Sequence, residues 1–324
     1  MQIDSQGVAD AHNAMSEEYD QLEDLWYSYL FNRIHSFIIS NLPLKTGGKV
    51  LDIGCGTGFQ SFLLAQAGYE ACGFDIAEKL IAIAENKVKS NRYLKPIIFS
   101  STLKQAIKQQ DSILEKAIKL RGSRPIIAPI FRIGDAIDGA NYLPNYYNII
   151  VCCGSVLSFI DNNSKAIELM SKSLKDGGLL FLEVEQKVTL DLIWAVIDGV
   201  TKGRLGYDNT FGEAIDDLFS KPGENIRLDY PFELSDGTEL TLPIWVFSIG
   251  YLKRLFDSNG LKITAKEGIH AITNFIPSTV LHKQRPNKSL QKVFSMLSGI
   301  ENSTARIWPI WRLGCSVMYC LRKK

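Results

Sequence analysis

Two acids and a glycine-rich loop are the residues of this sequence whose types and spacing could do chemistry. Asp52 and Asp75 flank a loop in which every second residue is a glycine, at Gly54, Gly56 and Gly58. Glycine permits a positive φ and lets the backbone approach a ligand with no Cβ in the way. A carboxylate at the end of the next strand can accept two hydrogen bonds from a ribose diol. The pattern therefore predicts a nucleoside-binding site, with Asp75 at an exposed strand end.

The elements that must position this loop can be predicted from the neighbouring residues. Lys49–Ile53 has the apolar character of a buried parallel strand, and Phe59–Ala67 has that of a helix ended by Gly68. Free N–H groups at the start of that helix would face the ligand. Ala71–Phe74 predicts the second strand. The order strand, glycine loop, helix, strand and acid indicates one half of a doubly wound sheet.

The identity of the nucleoside depends on two positions of the loop. A dinucleotide fingerprint requires a third glycine where this sequence has Phe59. Asp52 would repel a phosphate and suits a cationic or amino-bearing ligand. The stretch Asp52-Ile53-Gly54-Cys55-Gly56-Thr57-Gly58, followed by Asp75, resembles the first motifs of the class I S-adenosylmethionine-dependent methyltransferases. Leu174-Lys175-Asp176-Gly177-Gly178 resembles that family's turn into strand five, and Tyr19-Asp20 resembles its lead-in over the cofactor.

The resemblance implies a fold and a set of cofactor contacts. The fold would be α/β, a doubly wound Rossmann-like sheet of seven strands with the seventh antiparallel. The cofactor would be S-adenosylmethionine, with the backbone of the glycine loop against its methionine part. Asp52 would meet the amino group, Asp75 the ribose, and Tyr19 the sulfonium, because an aromatic face attracts a cation. The remaining cofactor-binding residues implied are Gly54, Cys55, Gly56, Gly58, Ile76, Asp135, Ala136 and Cys153.

Catalytic residues are harder to predict because methyl transfer from a sulfonium is an in-line displacement in which positioning does most of the work. A base is needed only when the nucleophile is protonated. The candidates on the acceptor side are Tyr19, Ser155, Glu183, Glu185, His270 and His12. The six cysteines have no metal-ligand spacing, so no metal site is expected, and they suit reduced thiols in the core.

The remaining chain predicts a helical cap over residues 1–47 and a methyltransferase domain over 48–324. Insertions are expected at 93–125 after strand two, 187–245 after strand five and 271–312 after strand six. In the first insertion, Leu103, Ile107, Leu114 and Ile118 form an apolar stripe, which suits a solvated surface helix, a lid or a membrane-contacting helix. The second includes a hairpin turning at 235–237. The later strands are predicted at Ile126–Ile133, Tyr147–Cys153, Leu179–Val184, Leu261–Gly268 and Cys315–Leu321.

Charge is balanced over the chain, with 36 basic and 35 acidic residues, but the segment from 282 to 324 has nine basic residues and one acid. Apolar residues alternate with these charges between 276 and 312. Two readings stay open, a lid over the acceptor pocket and a contact with an anionic membrane. A signal peptide and an uninterrupted membrane span are not evident, so we expect a cytoplasmic protein, in the second case peripheral to a membrane.

The expected function is transfer of a methyl group to a small-molecule or lipid-like acceptor, as in the type-11 and quinone-biosynthesis methyltransferases that the sequence resembles. Cys152-Cys153-Gly154-Ser155 stands where enzymes that methylate nucleobase amino groups have Asn/Asp-Pro-Pro-aromatic, so nucleic acid is not the expected partner. Two alternatives stay open: a nicotinamide oxidoreductase and a non-catalytic, cofactor-binding partner subunit. The acceptor atom and the oligomeric state do not follow from the sequence.

Overall fold

The computed structural model describes residues 5–17, 19–20, 24–43, 47–94, 104–207, 216, 224–233, 239–283 and 286–324; at 93, 104–107, 229–233 and 239–240 it describes the backbone alone. The helices are α1 Ser5–Ala14, α2 Leu25–Asn41, α3 Phe59–Gln66, α4 Glu78–Lys89, α5 Lys104–Arg121, α6 Asn163–Ser173, α7 Leu190–Thr201, α8 Ile249–Ser258, α9 Ser278–Leu281 and α10 Lys288–Thr304. The strands are β1 Lys49–Ile53, β2 Glu70–Asp75, β3 Ile130–Ile133, β4 Tyr147–Cys152, β5 Leu174–Glu185, β6 Ile226–Glu233, β7 Glu239–Val246, β8 Leu261–Ile269 and β9 Ser316–Lys323.

Seven of these strands form one sheet in the order β3-β2-β1-β4-β5-β9-β8. Strands β1 to β5 pair in parallel, whereas β9 lies antiparallel to both β5 and β8. The order reverses between β1 and β4, so the loops after these two strands leave the same edge and diverge. In a doubly wound sheet this is the crevice where ligands bind. The predicted seven-stranded α/β fold with an antiparallel last strand is confirmed.

Both faces of the sheet are covered by apolar side chains. On one face α2 packs on the central strands, and the Phe37 ring lies 6.4 Å from the Phe181 ring of β5. On the other face α6 and α8 cover the sheet, and the ring centres of Phe256 on α8 and Tyr319 on β9 lie 5.4 Å apart. Asp24 caps α2 by accepting a hydrogen bond from the Tyr27 amide at 2.8 Å. The division of the chain at residue 47 stays a prediction, and α2 itself is continuous with the main core.

The first predicted insertion contains α5, and the face that α5 buries differs from the predicted apolar stripe. Ile113 and Ala117 are buried on α5, whereas Ile118 is 45% exposed. Leu103 lies outside the described residues, and so does the side chain of Ile107. Strand three begins at Ile130 rather than at Ile126. The face of α5 that packs against α2 and α3 is therefore offset from the one that hydropathy alone favours.

The second predicted insertion contains α7 and a hairpin of β6 and β7. The two strands pair antiparallel from Ile226↔Val246 to Glu233↔Glu239 and form a separate two-stranded sheet. The predicted turn at 235–237 lies outside the described residues. The hairpin is joined to the main sheet through Phe247, whose amide donates to the Glu185 carbonyl at 2.9 Å. It therefore stands beside the carboxyl end of β5.

All six cysteines are free thiols, and five of them are buried. Within the described ranges, His, Cys, Asp and Glu side chains do not assemble in a group of three or more that could hold a metal ion. In the same part of the chain, none of the helices combines the length and the apolar character needed to cross a bilayer.

Candidate active site

The glycine loop between β1 and α3 has the backbone geometry that the spacing predicts. Gly54 has a φ of +63°, and a Cβ built there would lie 2.3 Å from Val156. Gly56 has a φ of +51°. Both conformations are strained for residues with a side chain. The Cys55 amide donates to the Phe74 carbonyl at 3.1 Å, which fixes the loop to the end of β2. The loop can therefore bring bare backbone against a ligand.

Asp75 organises the loop from the end of β2. One carboxylate oxygen accepts the Gly56 amide at 2.8 Å, and the other accepts the Ala77 amide at 2.9 Å. Asp75 is 8% exposed, so the expectation of an exposed strand end is wrong. Each carboxylate oxygen has a second lone pair. The side chain can therefore hold the loop and still accept hydrogen bonds from a diol.

Asp52 lies beneath the same loop and is buried. It accepts a hydrogen bond from the Ser61 hydroxyl of α3 at 2.7 Å. Burial, and to a smaller extent the nearby Asp75 carboxylate, raise the pKa of Asp52 to about 7, although the Ser61 hydrogen bonds oppose the shift. A cationic group bound next to Asp52 would stabilise the ionised form of this buried carboxyl, because an opposite charge favours ionisation.

The segment before α2 lies over the glycine loop. A Cβ on Gly56 would be 3.4 Å from the Tyr19 ring and hydroxyl. Burial, and next the Asp75 carboxylate, raise the pKa of Tyr19 above its ordinary value, so the phenol is neutral at neutral pH. Asp20 accepts the Thr57 hydroxyl at 2.6 Å and pairs with Lys87 of α4 at 2.6 Å. We call Tyr19 and Asp20, held in this way, the strap.

Sequence reasoning missed Thr57 and Lys87 as the residues that hold the strap. The Lys87 ammonium also donates to the Thr57 carbonyl at 3.1 Å and lies 4.7 Å from the centre of the Phe59 ring. Burial lowers the pKa of Lys87, and Asp20 opposes the shift. The sequence does hold a signal for this contact. Lys87 lies on α4, the helix after strand two, and a cation there could face the acid of a Tyr-Asp lead-in.

The other predicted cofactor residues fall into two groups. Ile76 follows Asp75 at the edge of the crevice, and Asp135 lies in the turn after β3, where it accepts the Ile137 amide at 3.0 Å. The Ala136 carbonyl accepts the Tyr142 hydroxyl at 2.7 Å. By contrast, the Cys55 and Cys153 side chains point into the core, where the Cys153 thiol lies 3.7 Å from the Phe181 carbonyl. Cys55 and Cys153 could therefore contact a ligand in the crevice only through their backbone atoms.

The acceptor-side candidates meet after β4, where Ser155 has a φ of +59°. The Glu183 carboxylate accepts the Gly154 amide at 3.0 Å and the Ser155 amide at 2.6 Å, and so holds this turn. The Ser155 hydroxyl donates to Glu185 at 2.7 Å. Burial, with Glu183 adding to it, raises the pKa of Glu185 to about 8. Burial also raises the pKa of Glu183.

The histidine candidates have different surroundings. His270 is buried, its Nδ1 lies 2.9 Å from the Thr273 hydroxyl, and its Nε2 lies 3.2 Å from the Trp26 carbonyl. Burial lowers its pKa to about 3. Both ring nitrogens of His270 thus have partners within the core, so we do not propose it as the base. His12 lies on α1 with its ring 5.3 Å from Phe159, in the turn that follows Ser155.

Comparison with known proteins places this geometry in a family. A family model described as a methyltransferase domain matches residues 26–266, which is more than half of the chain. The protein YqeM of Bacillus subtilis is 28% identical over 151 residues, covering 46% of this chain and 46% of that protein. The mitochondrial ubiquinone biosynthesis O-methyltransferase of Dictyostelium discoideum is 26% identical over 165 residues, covering 48% of this chain and 41% of that protein. The chain thus matches less than half the length of these relatives.

Solved structures agree on the fold. The [4+2]-cyclase SpnF is 14% identical with a TM-score of 0.54, covering 98% of this chain and 96% of that chain. The PH0226 protein of Pyrococcus horikoshii is 15% identical with a TM-score of 0.50, covering 95% of each chain. At these identities the likeness concerns architecture alone. Since the family model spans the glycine loop, both acids and strands β1 to β5 of the main sheet, the chain belongs to the class I S-adenosylmethionine-dependent methyltransferase family.

Proposed function

We propose that this protein transfers a methyl group from S-adenosylmethionine to a small-molecule or lipid-like acceptor. One observation carries the proposal: Tyr19 lies over Gly56 with Asp75 nearby, and the buried Asp52 lies beneath the same loop. This arrangement offers an aromatic face and two carboxyl groups but no described cation to neutralise them within the loop. A ligand with a sulfonium, an amino group and a ribose diol matches these three features.

The residues present fit this cofactor. The glycine loop reaches the crevice without side chains at Gly54 and Gly56, and Asp75 keeps lone pairs for a ribose. Asp52 would hold the amino group, Ile76 would contact the adenine, and Asp135 with Ala136 would meet the adenine edge. When bound, S-adenosylmethionine supplies an activated methyl group. The contribution of this chain is to orient the two reactants and to exclude water.

On the acceptor side we propose Glu185 as the residue that accepts a proton from a hydroxyl or amine nucleophile. Its pKa of about 8 is close to a working pH, which suits a general base. Ser155 would orient the carboxylate through their 2.7 Å hydrogen bond. Glu183 would act as a positioning residue, because its two backbone hydrogen bonds hold the turn that carries Ser155. His12 is a second, weaker base candidate by its position near Phe159.

The family match favours methyl transfer over the nicotinamide oxidoreductase alternative. It does not choose the acceptor atom, and the shared fold of a protein named as a cyclase illustrates that fold does not fix the reaction. A contact with an anionic membrane would supply a lipid-like acceptor to the site. The acceptor class therefore depends on the surface of the C-terminal segment.

Two measurements test the proposal. S-adenosylhomocysteine should raise the melting temperature by ligand linkage, whereas NAD(H) should leave it unchanged. Incubation of the protein with labelled S-adenosylmethionine and a cell extract should then give a labelled product that mass spectrometry can identify. A shift with NAD(H) alone would overturn the proposal. A shift with S-adenosylhomocysteine but no transfer in any extract would favour the non-catalytic partner subunit.

A further inference from the structure

Helix α10 presents apolar residues on two opposite sides. Phe294, Ser298 and Glu301 are buried against the rest of the protein. Val293, Met296 and Ile300 are exposed, with Met296 61% exposed. Residues spaced by three and four positions lie on one face of a helix. Helix α10 therefore keeps a second apolar face that does not pack against the described part of the chain.

Two more exposed apolar residues follow the helix in the chain. Ile307 and Trp308 follow α10, and Trp308 is 71% exposed. We call Val293, Met296, Ile300, Ile307 and Trp308 the exposed apolar stripe. Large contiguous apolar surfaces are unusual on soluble monomers and mark sites of interaction. An exposed tryptophan suits an interface between an apolar phase and water, because its ring is apolar and its indole N–H is polar.

A neighbouring helix adds to the surface. Ile193, Ile197 and Val200 are exposed on α7, and Phe275 is exposed on the turn between the two helices. The Trp194 indole of α7 donates to the Asn274 carbonyl of this turn at 2.8 Å. Glu301 of α10 accepts the Thr273 amide of the same turn at 2.8 Å. Both helices are therefore fixed to one turn, and both carry apolar residues toward solvent.

The charges around the stripe have one sign. Lys288 and Lys292 are exposed on the face of α10 next to the stripe, and Arg312 is exposed after it. Arg306 does not add to this charge, because its guanidinium pairs with the buried Glu267 of β8 at 2.8 Å. Glu301 is the one acid between 282 and 324, and it is fully buried. Its oxygens accept backbone amides, among them those of His270 and Ile272 at 2.8 and 2.7 Å. The surface of this segment is thus apolar and basic, with no acid on it.

We propose that the exposed apolar stripe docks on an anionic lipid surface. Exposed aliphatic and tryptophan side chains enter the headgroup region, and lysines and arginines beside them meet anionic lipid. A protein partner would need acids placed to match three separate cations, Lys288, Lys292 and Arg312, whereas an anionic bilayer carries negative charge over its whole surface. The charge complementarity therefore favours a membrane over a second copy of this chain.

The chain shortly before α10 contacts the start of α2. His282, at the end of α9, lies 3.4 Å from Asp24 and its ring lies 5.0 Å from that of Trp26. These two residues start α2, directly after the segment that carries the strap. A protein docked through α10 would hold the covering segment of the crevice near the lipid. This step rests on the proposed function, because it explains how a lipid-like acceptor reaches the site.

Vesicle co-sedimentation tests the docking with the full chain. The wild-type protein should sediment with phosphatidylcholine–phosphatidylglycerol vesicles at low salt, remain in the supernatant with phosphatidylcholine alone, and be released at high salt. Lys288→Ser with Lys292→Ser should lower the partition coefficient by about 25-fold, at about fivefold per lysine. Met296→Ser with Trp308→Ser should abolish sedimentation. Leu143→Ser with Lys175→Ser, exposed residues of matched type elsewhere on the surface, should sediment as the wild type does.

The outcomes separate the two proposals. Each variant is checked for an unchanged melting temperature and an unchanged shift with S-adenosylhomocysteine, so loss of vesicle binding cannot come from loss of the fold or the cofactor site. Wild-type protein that stays in the supernatant at low salt overturns the docking proposal and leaves the methyltransferase proposal intact. A wild-type dimer that becomes monomeric on Met296→Ser with Trp308→Ser, without vesicle binding, overturns it in favour of a self-interface.

Discussion

Asp75 has two tasks at the scale of single residues, because it holds the loop and is proposed to hold the ribose. Replacing it with alanine should leave the Gly56 and Ala77 amides without an acceptor. We expect Asp75→Ala to lower the free energy of unfolding by about 1–3 kcal/mol and to weaken binding of S-adenosylhomocysteine by about 1.5–3 kcal/mol. Urea denaturation and titration calorimetry measure the two effects.

Asp176 supplies the control for this substitution, since its carboxylate is exposed and its replacement by alanine should change neither quantity. Asp75→Asn keeps one acceptor oxygen and should recover part of the stability. An unchanged urea midpoint for Asp75→Ala would show that the loop keeps its conformation without the two hydrogen bonds.

The proposed role of Glu185 predicts that the rate of methyl transfer depends on pH. A base must be deprotonated, and the pKa of this carboxyl is raised to about 8 by burial and by Glu183. The rate of methyl transfer should therefore rise as the pH increases from 7 to 9. Glu185→Gln should lower the rate by about a hundredfold or more and remove the rise. Glu168→Gln, which changes an exposed glutamate of α6, should keep the wild-type profile. A wild-type rate independent of pH in this range would exclude Glu185 as the base.

The residues of the candidate site differ in how far the sequence could predict them. The glycine loop, Asp52 and Asp75 follow from local spacing, because one turn between a strand and a helix positions them all. His270 could not be judged in this way. Its ring is stacked on Trp26 of α2 at 3.8 Å, and its amide is held by Glu301 of α10. Both partners are distant in sequence, so its burial depends on tertiary packing.

At the scale of elements, the strap ties the N-terminal segment to α3 and α4. Lys87→Ala should release Asp20 and the Thr57 carbonyl, so that Tyr19 is held less firmly over Gly56. Because the strap closes over the crevice, we expect S-adenosylhomocysteine to dissociate about tenfold faster, a change that corresponds to about 1.4 kcal/mol. Stopped-flow fluorescence or surface plasmon resonance measures the rate.

Lys89→Ala is the matched control for the strap, since Lys89 lies on the same helix and pairs with Glu85 at the surface. An exposed pair of this kind contributes little. Equal dissociation rates for Lys87→Ala and Lys89→Ala would mean that the segment around Tyr19 does not retain the ligand.

Elements of the main sheet could be predicted closely, whereas α5 could not. Buried parallel strands such as β4 are continuous apolar runs, and few other structures give this pattern. Helix α5 is apolar on more than one side, so its sequence fits several rotations about the helix axis. Its packing against α2 and α3 selects the face of Ile113 and Ala117. That choice depends on elements far away in the chain.

At the scale of the whole molecule, Glu301 joins α10 to the loop after β8. Glu301→Ala should leave the amides of His270, Ile272 and Thr273 unpaired inside the protein. We expect the free energy of unfolding to fall by about 2–4 kcal/mol, because each buried unpaired amide costs about 1–3 kcal/mol and neighbouring losses are not additive. Urea denaturation followed by far-ultraviolet circular dichroism measures the loss.

Glu168→Ala is a suitable reference, because this glutamate forms an exposed pair with Lys172 and should contribute little. If the two variants unfold at the same urea concentration, the C-terminal segment is anchored by its apolar contacts, such as those of Phe294, rather than by the buried carboxylate.

The position of β9 sets the order in which a newly made chain can complete its sheet. Strand β8 pairs with β9 alone in the main sheet, and β9 stands between it and β5. During synthesis, β5 and β8 therefore wait with open hydrogen-bonding edges until residues 316–323 have left the ribosome. Open edges of this kind invite pairing with other chains. The nascent protein thus exposes open strand edges from the moment β5 emerges until β9 pairs with it, and we expect chaperones to matter most in that interval.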